Sequence, residues 1–226
     1  MGLVDPCSLA GTLANLDEAL LSGQRLTAAA RHEAAVWLAA RVGQEGSYCG
    51  LPAPTEQDRA PGFRLFTGEP VTSQAGRGCK LGFEATWALT VLHPSAARLA
   101  QAAHACRQRV LERYSQEVVR SRGMYCCYSC SVAGWRALGV AEETWAQPLL
   151  DAGIGLLRAR RLDNGRWDKF PYWYTLLSLC HLDTVAAREE MRHAAGALGK
   201  WLSGRHAETP VTGRRRLVGQ RVLERV

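Results

Sequence analysis

The stretch GRWDKFPYWYTLLSLCHL, running from Gly165 to Leu182, constrains the fold more than any other part of the chain. Turn-forming Asp163 and Asn164 lead into Gly165, and Pro171 carries the fixed backbone angle suited to a first helical position. From Tyr172 to Cys180 no face bears a charge, which is the pattern of a helix enclosed by protein on all sides. Such a helix needs others to cover it, so the flanking segments should carry apolar stripes at helical spacing.

They do. In the segment from Ser8 to Leu21, Leu9, Leu13, Leu16 and Leu20 recur at steps of three and four, with Ser8 placed as an N-cap. Leu26 to Val42, Ala96 to Val119, Pro148 to Arg160 and Thr184 to Leu202 read as amphipathic helices. FEATWALTVL, Phe83 to Leu92, has Glu84 as its only charge, and Tyr125 to Leu138 is uncharged until Arg136, so both read as buried. A Gly-x-aromatic turn joins an exposed helix to a buried one three times, at Gly46 to Tyr48, Gly123 to Tyr125 and Gly165 to Trp167. A period of about forty residues with two helices per unit implies stacked helical hairpins, each burying its apolar face on its neighbours. Residues 51–80 interrupt the first unit with a long loop holding Pro52, Pro54, Pro61 and Pro70 and no helical period.

With 226 residues and 47% apolar composition, the chain is long enough for one sizeable core, predicted here as a single domain over 1–205 followed by a basic tail over 206–226. The formal charge of +7 raises the question of a polyanionic partner. The basic residues are scattered, however, and Arg214 to Arg216 form the only dense run, so nucleic-acid binding is not expected. No apolar run approaches the roughly 20 residues of a membrane span, and the N-terminus lacks the basic and apolar regions of an export signal. The expectation is a cytoplasmic protein whose eight cysteines stay reduced, most of them as small buried hydrophobes.

The repeat resembles that of the prenyltransferase and squalene-cyclase superfamily, in which Q-x-x-D-G-x-W and a short loop precede an inner helix. RRLDNGRWDKFPYWYTLLSL is similar to it throughout, and QEGSY with EATWALTVL, and RSRGMY with CYSCSVAGWRAL, follow the same register from about Arg31 to Leu202. The resemblance implies an all-α toroid, or an incomplete ring of about four hairpins, around an apolar central cavity for an isoprenoid-like or natural-product substrate. It departs from the family at the chemistry. The acidic DxDD string of the cyclases is absent, and where zinc-bearing relatives have Asp-x-Cys and Tyr-His-Thr this chain has Tyr125, Cys126, Cys127 and Trp173, Tyr174, Thr175.

In a ring of hairpins every Gly-x-aromatic turn lies at one end, so the starts of the buried helices and the inserted loop share one mouth. Candidate catalytic groups there are Glu84, Asp168 and Cys127, with Tyr48, Trp87, Tyr128, Trp167, Tyr172 and Tyr174 as candidate substrate-binding aromatics. Cys126, Cys127 and Cys130 have helical spacings that let a pair chelate a metal such as zinc, with Cys49 or Cys79 available to complete the set. Core packing is the plain alternative for the cysteines and the aromatics, and helix capping for the acids. His93 and His181 fall at the far ends of buried helices and read as structural. Three functions fit: transformation or binding of an apolar small molecule, a non-catalytic helical scaffold that binds protein or forms a homodimer, and a zinc-dependent transferase.

Overall fold

A computed structural model describes residues 2–226, and the described residues are all-helical, with no strands beyond isolated bridges. Ten α-helices follow in chain order: α1 (Leu9–Leu21), α2 (Ala28–Ala40), α3 (Gln74–Val91), α4 (Ala97–Tyr114), α5 (Glu117–Arg122), α6 (Tyr128–Gly139), α7 (Ala146–Arg158), α8 (Tyr172–Leu179), α9 (Val185–Leu202) and α10 (Pro210–Leu223). No helix among them is long and apolar enough to cross a membrane.

Local chemistry starts the helices where short polar side chains stand. Ser8, Thr27, Ser73, Thr184 and Thr209 each accept a hydrogen bond from a backbone N–H of the first turn. The inserted loop is tied down by Asp58, whose buried carboxylate accepts from Ser8 Oγ at 2.7 Å, from the N–H groups of Leu9 and Ala10 at 2.8 and 3.2 Å, and from Thr55 N–H at 2.8 Å. A carboxylate at the start of α1 is favoured by the unpaired amides gathered there.

The stretches poorest in charge are the buried helices, the few charges within their buried runs being Arg77, Lys80, Glu84 and Arg136. Arg77 through Leu89 of α3, Cys130 through Leu138 of α6 and Trp173 through Leu179 of α8 are buried without a break. Helix α3 packs on α1 and α6, α6 on α8, α8 on α10, and α10 returns to α1. Helices α2, α4, α7 and α9 lie against these and bury one side each.

Four boundaries differ from the sequence reading. Helix α3 begins at Gln74, inside the expected loop, because Ser73 caps it. Its glycines hide the pattern, since a Cβ on Gly82 would stand 3.0 Å from the Leu51 side chain packed there. Helix α6 begins at Tyr128, with Cys127 extended at its N-cap. The long helix expected over 96–119 breaks after Tyr114 into α4 and α5. The expected basic tail contains α10, in which Val218 and Val222 are fully buried. Its arginines are engaged in holding it: Arg214 pairs with Glu18 at 2.7 Å, and Arg215 donates to Thr67 O at 2.9 Å.

At the centre, where an apolar cavity was expected, side chains fill the space between α1, α3, α6 and α8. Arg136 of α6 is fully buried, paired with Asp17 of α1 and 3.7 Å from the ring centroid of Trp87 on α3. Its guanidinium lies 3.9 Å from Glu84, which accepts a short hydrogen bond from the Tyr174 hydroxyl of α8. Tyr174, expected as a cavity-lining aromatic, is therefore a packed core residue at 0% exposure, and Trp87, at 1%, packs on Arg136 here and borders open space only at the far helix ends. Both carry large rings whose burial strongly favours filling such a space.

Candidate metal centre

Three cysteine sulfurs meet where α3 and α6 come together. The extended Cys127 at the α6 N-cap leaves Cys126 in the preceding turn and places Cys130 in the first helical turn, while the close packing of α3 on α6 brings Cys79 across. The sulfurs of Cys79, Cys126 and Cys130 all lie within 4.8 Å of one another. Cys79 and Cys130 are buried and Cys126 is exposed, so the cluster opens to solvent on one side. Lys80, itself 5% exposed, places Nζ 3.4 Å from Cys130 Sγ.

The sulfurs share charge unequally. Hydrogen bonds from Cys127, Cys130 and Cys79 hold the Cys126 thiol well below its ordinary range, and the Lys80 ammonium adds to this. The thiols of Cys130 and Cys79 are pushed up, first by their hydrogen bonds to Cys126 and then by burial. The cluster thus favours one thiolate, on its most accessible member. Cys127, expected as both ligand and nucleophile, stands outside the trio: its sulfur accepts from the Cys130 N–H at 3.4 Å as a helix cap.

Aromatic rings border this region. The Tyr48 and Tyr125 hydroxyls are 2.6 Å apart, Tyr125 stacks on Tyr114 with centroids 5.2 Å apart, and Phe83 fits edge-on against Tyr48 and Tyr125. Burial pushes the Tyr125 hydroxyl up to about 12, which keeps it neutral. Beside Tyr48, a pocket lined by Arg59 and the first turns of α3 reaches Gly78, the residue before Cys79.

The remaining sequence candidates are spread over other environments. Asp168 is partly exposed and paired with Arg160 at 3.1 Å. Trp167 is buried, its indole N–H donating to Glu190 at 3.0 Å, and Glu190 is also held by Arg161 at 2.8 Å. Tyr172 rests on Trp167 and Trp173, and Tyr128 on Phe170. Glu84 belongs to the central network, where burial pushes its carboxyl up to about 7 against the opposing pull of Arg136. Sequence reasoning missed the network's anchor. Arg136 as the one charge on α6, and Asp17 on the leucine stripe of α1, were its visible signals.

Compared with family models, curated proteins and solved structures, the chain gave no match.

Proposed function

We propose that the chain is a zinc-dependent transferase built as a toroid-like ring of helical hairpins, with Cys79, Cys126 and Cys130 as its metal ligands. The observation that carries this reading is the mutual approach of the three sulfurs to within 4.8 Å, with a buried ammonium beside them. Tetrahedral zinc with Zn–S bonds of about 2.3 Å needs sulfurs only ~3.8 Å apart, so small side-chain adjustments suffice. Three thiolates on a divalent ion leave one net negative charge, which Lys80 offsets. Closed structural sites use four protein ligands, whereas three ligands and one exposed edge match the open arrangement of catalytic zinc.

Zinc at this position would supply a Lewis-acid site at which an incoming thiol or water is held in its deprotonated form. The chain's own contributions are separable. Lys80 balances the charge, the extended Cys127 fixes where Cys126 and Cys130 stand, and exposure at Cys126 admits the acceptor. The half-buried rings of Tyr48, Tyr128 and Tyr172 near the starts of buried helices support an apolar substrate at this mouth in place of the filled centre.

The test is metal content and cobalt substitution of the purified chain. The expected result is one zinc per chain and intense sulfur-to-cobalt charge-transfer bands, both lost in Cys79→Ser, Cys126→Ser and Cys130→Ser and kept in Cys127→Ser. Protein that takes up no zinc, or binding that survives in all three ligand variants, would overturn the assignment.

A further inference from the structure

A second pocket, of about 280 Å³, lies among the C-terminal ends of α1, α3, α6, α8 and α10. Its lining comes from Leu20 and Leu21 at the end of α1, Trp87 and Val91 on the last turns of α3, Val140 just after α6, Cys180 and His181 just after α8, and Arg221 and Arg225 on and beyond the last turn of α10. An apolar floor, one imidazole and two guanidiniums therefore face one small space.

The polar groups have defined states. His181 Nδ1 lies 2.9 Å from Leu177 O, and a carbonyl only accepts, so Nδ1 carries the proton and Nε2 the lone pair. Nε2 makes no hydrogen bond, and Asp17 Oδ1 lies 3.8 Å from it. Burial, with Arg136, Arg225 and Arg221 adding to it, holds the imidazole neutral by lowering its pKa well below the ordinary range. Arg225 is committed, donating to Cys180 O at 2.8 Å and Leu182 O at 3.2 Å, and so satisfies carbonyls left over at the end of α8. Arg221 is held only by Glu224 at 3.1 Å, the two side chains 45% and 61% exposed, and surface pairs of this kind are readily exchanged. Cys180 offers no nucleophile, because burial pushes its thiol up to about 12. These groups bind; they do not react.

We propose that this pocket binds a small hydroxy acid: an apolar body carrying one carboxylate and one hydroxyl, with the carboxylate on Arg221 and the hydroxyl donating to His181 Nε2. A neutral acceptor beside Trp87 answers a hydroxyl, the exchangeable guanidinium answers a carboxylate, and the leucine and valine side chains answer the body. The volume suits a single-ring or short-chain molecule rather than a larger one. This inference is independent of the metal centre.

Calorimetric titration of the full chain with 4-hydroxybenzoate, benzoate and 4-hydroxybenzyl alcohol tests it. The hydroxy acid is expected to bind about tenfold more tightly than either analogue lacking one polar group. Arg221→Ala should weaken both acids and leave the alcohol unchanged, and Glu224→Ala, which frees Arg221, should tighten both. His181→Phe should erase the preference for 4-hydroxybenzoate over benzoate. Should that variant fail to fold, the two surface variants still decide the matter. Absence of saturable binding in the millimolar range, or affinities indifferent to Arg221 and Glu224, would overturn the proposal.

Discussion

Arg136 on α6 and Asp17 on α1, 119 positions apart in the chain, form a buried ion pair, Asp17 Oδ2 meeting Nη1 at 3.2 Å and Oδ1 meeting Nη2 more closely still. Both side chains are almost wholly withdrawn from water. Removing one partner leaves the other buried charge without its direct counter-ion, Glu84 at 3.9 Å being the next nearest acid to Arg136, and breaking a buried pair in this way costs about 3–5 kcal/mol. Asp17→Leu and Arg136→Met should each destabilise by that order in urea unfolding. The double variant should lose less than the two single losses combined, since it removes both members of the direct pair and leaves only Glu84, whose carboxyl burial already pushes toward the neutral form. Additive losses would show that the pair is not coupled.

Glu84 gives the same network a pH dependence. Its carboxyl is raised from 4.5 to about 7, so between those values the folded chain holds a proton that the unfolded chain has released. Stability from this group is therefore full below pH 4.5 and declines as pH rises toward 7, at no more than about 1.4 kcal/mol per pH unit. His181 acts with the opposite sign: it stays neutral when folded and charges on unfolding below its ordinary pKa. The quantity to measure is thus the difference between wild type and Glu84→Gln in urea unfolding from pH 4.5 to 7.5. It should slope toward relative stabilisation of the variant as pH rises, and a flat difference would contradict the raised carboxyl.

The architecture was legible because burial writes itself as missing charge. The runs from Phe83, Tyr125 and Tyr172 read as enclosed helices, and each contains one, although the second is helical only from Tyr128 and buried only from Cys130. The centre was not legible, because periodicity ranks Trp87 and Tyr174 as large apolar residues and says nothing of a guanidinium standing between them. Of the metal set, spacing along one helix could pair Cys126 with Cys130, whereas Cys79 comes from another helix and depends on how α3 meets α6. Cys127 looked equivalent to its neighbours until its extended backbone made it a cap. In α10, two buried valines among many arginines were too sparse a stripe to outweigh the charge.

Close packing around α6 makes a paired prediction on glycine. A Cβ on Gly134 would overlap the Tyr114 hydroxyl, which donates to Ser131 O at 3.1 Å, so Gly134→Ala should cost about 1–3 kcal/mol despite the better helix propensity of alanine. Gly155 on α7 has open space around it, and Gly155→Ala should gain up to about 1 kcal/mol. Thermal melts of the two variants should therefore shift in opposite directions.

Asp58 organises the inserted loop through acceptor bonds to Ser8, Leu9, Ala10 and Thr55. Asp58→Ala strands several buried donors at once and should destabilise by about 2–4 kcal/mol. The loss should be local first, with amides of residues 51–73 and the first turn of α1 exchanging hydrogen faster than those of α6 and α8. Uniform protection loss across all helices would instead mean that the loop and the buried helices unfold as one unit.

Lys80 offers a test of the metal centre that leaves every ligand in place. Its ammonium lies 3.4 Å from Cys130 Sγ, where it would offset the single negative charge that three thiolates would leave on a divalent ion in the proposed site. Lys80→Met keeps the length and apolar stem of the side chain and removes only the charge. Changes in groups supporting metal ligands commonly cost 10–100-fold in metal affinity, so a loss of about that size is expected in competition with a chromophoric chelator. Lys80→Arg should retain most of the affinity, because charge and not shape is the operative property. If the methionine variant binds zinc as tightly as wild type, the ammonium serves packing alone and the charge argument for a trithiolate site falls.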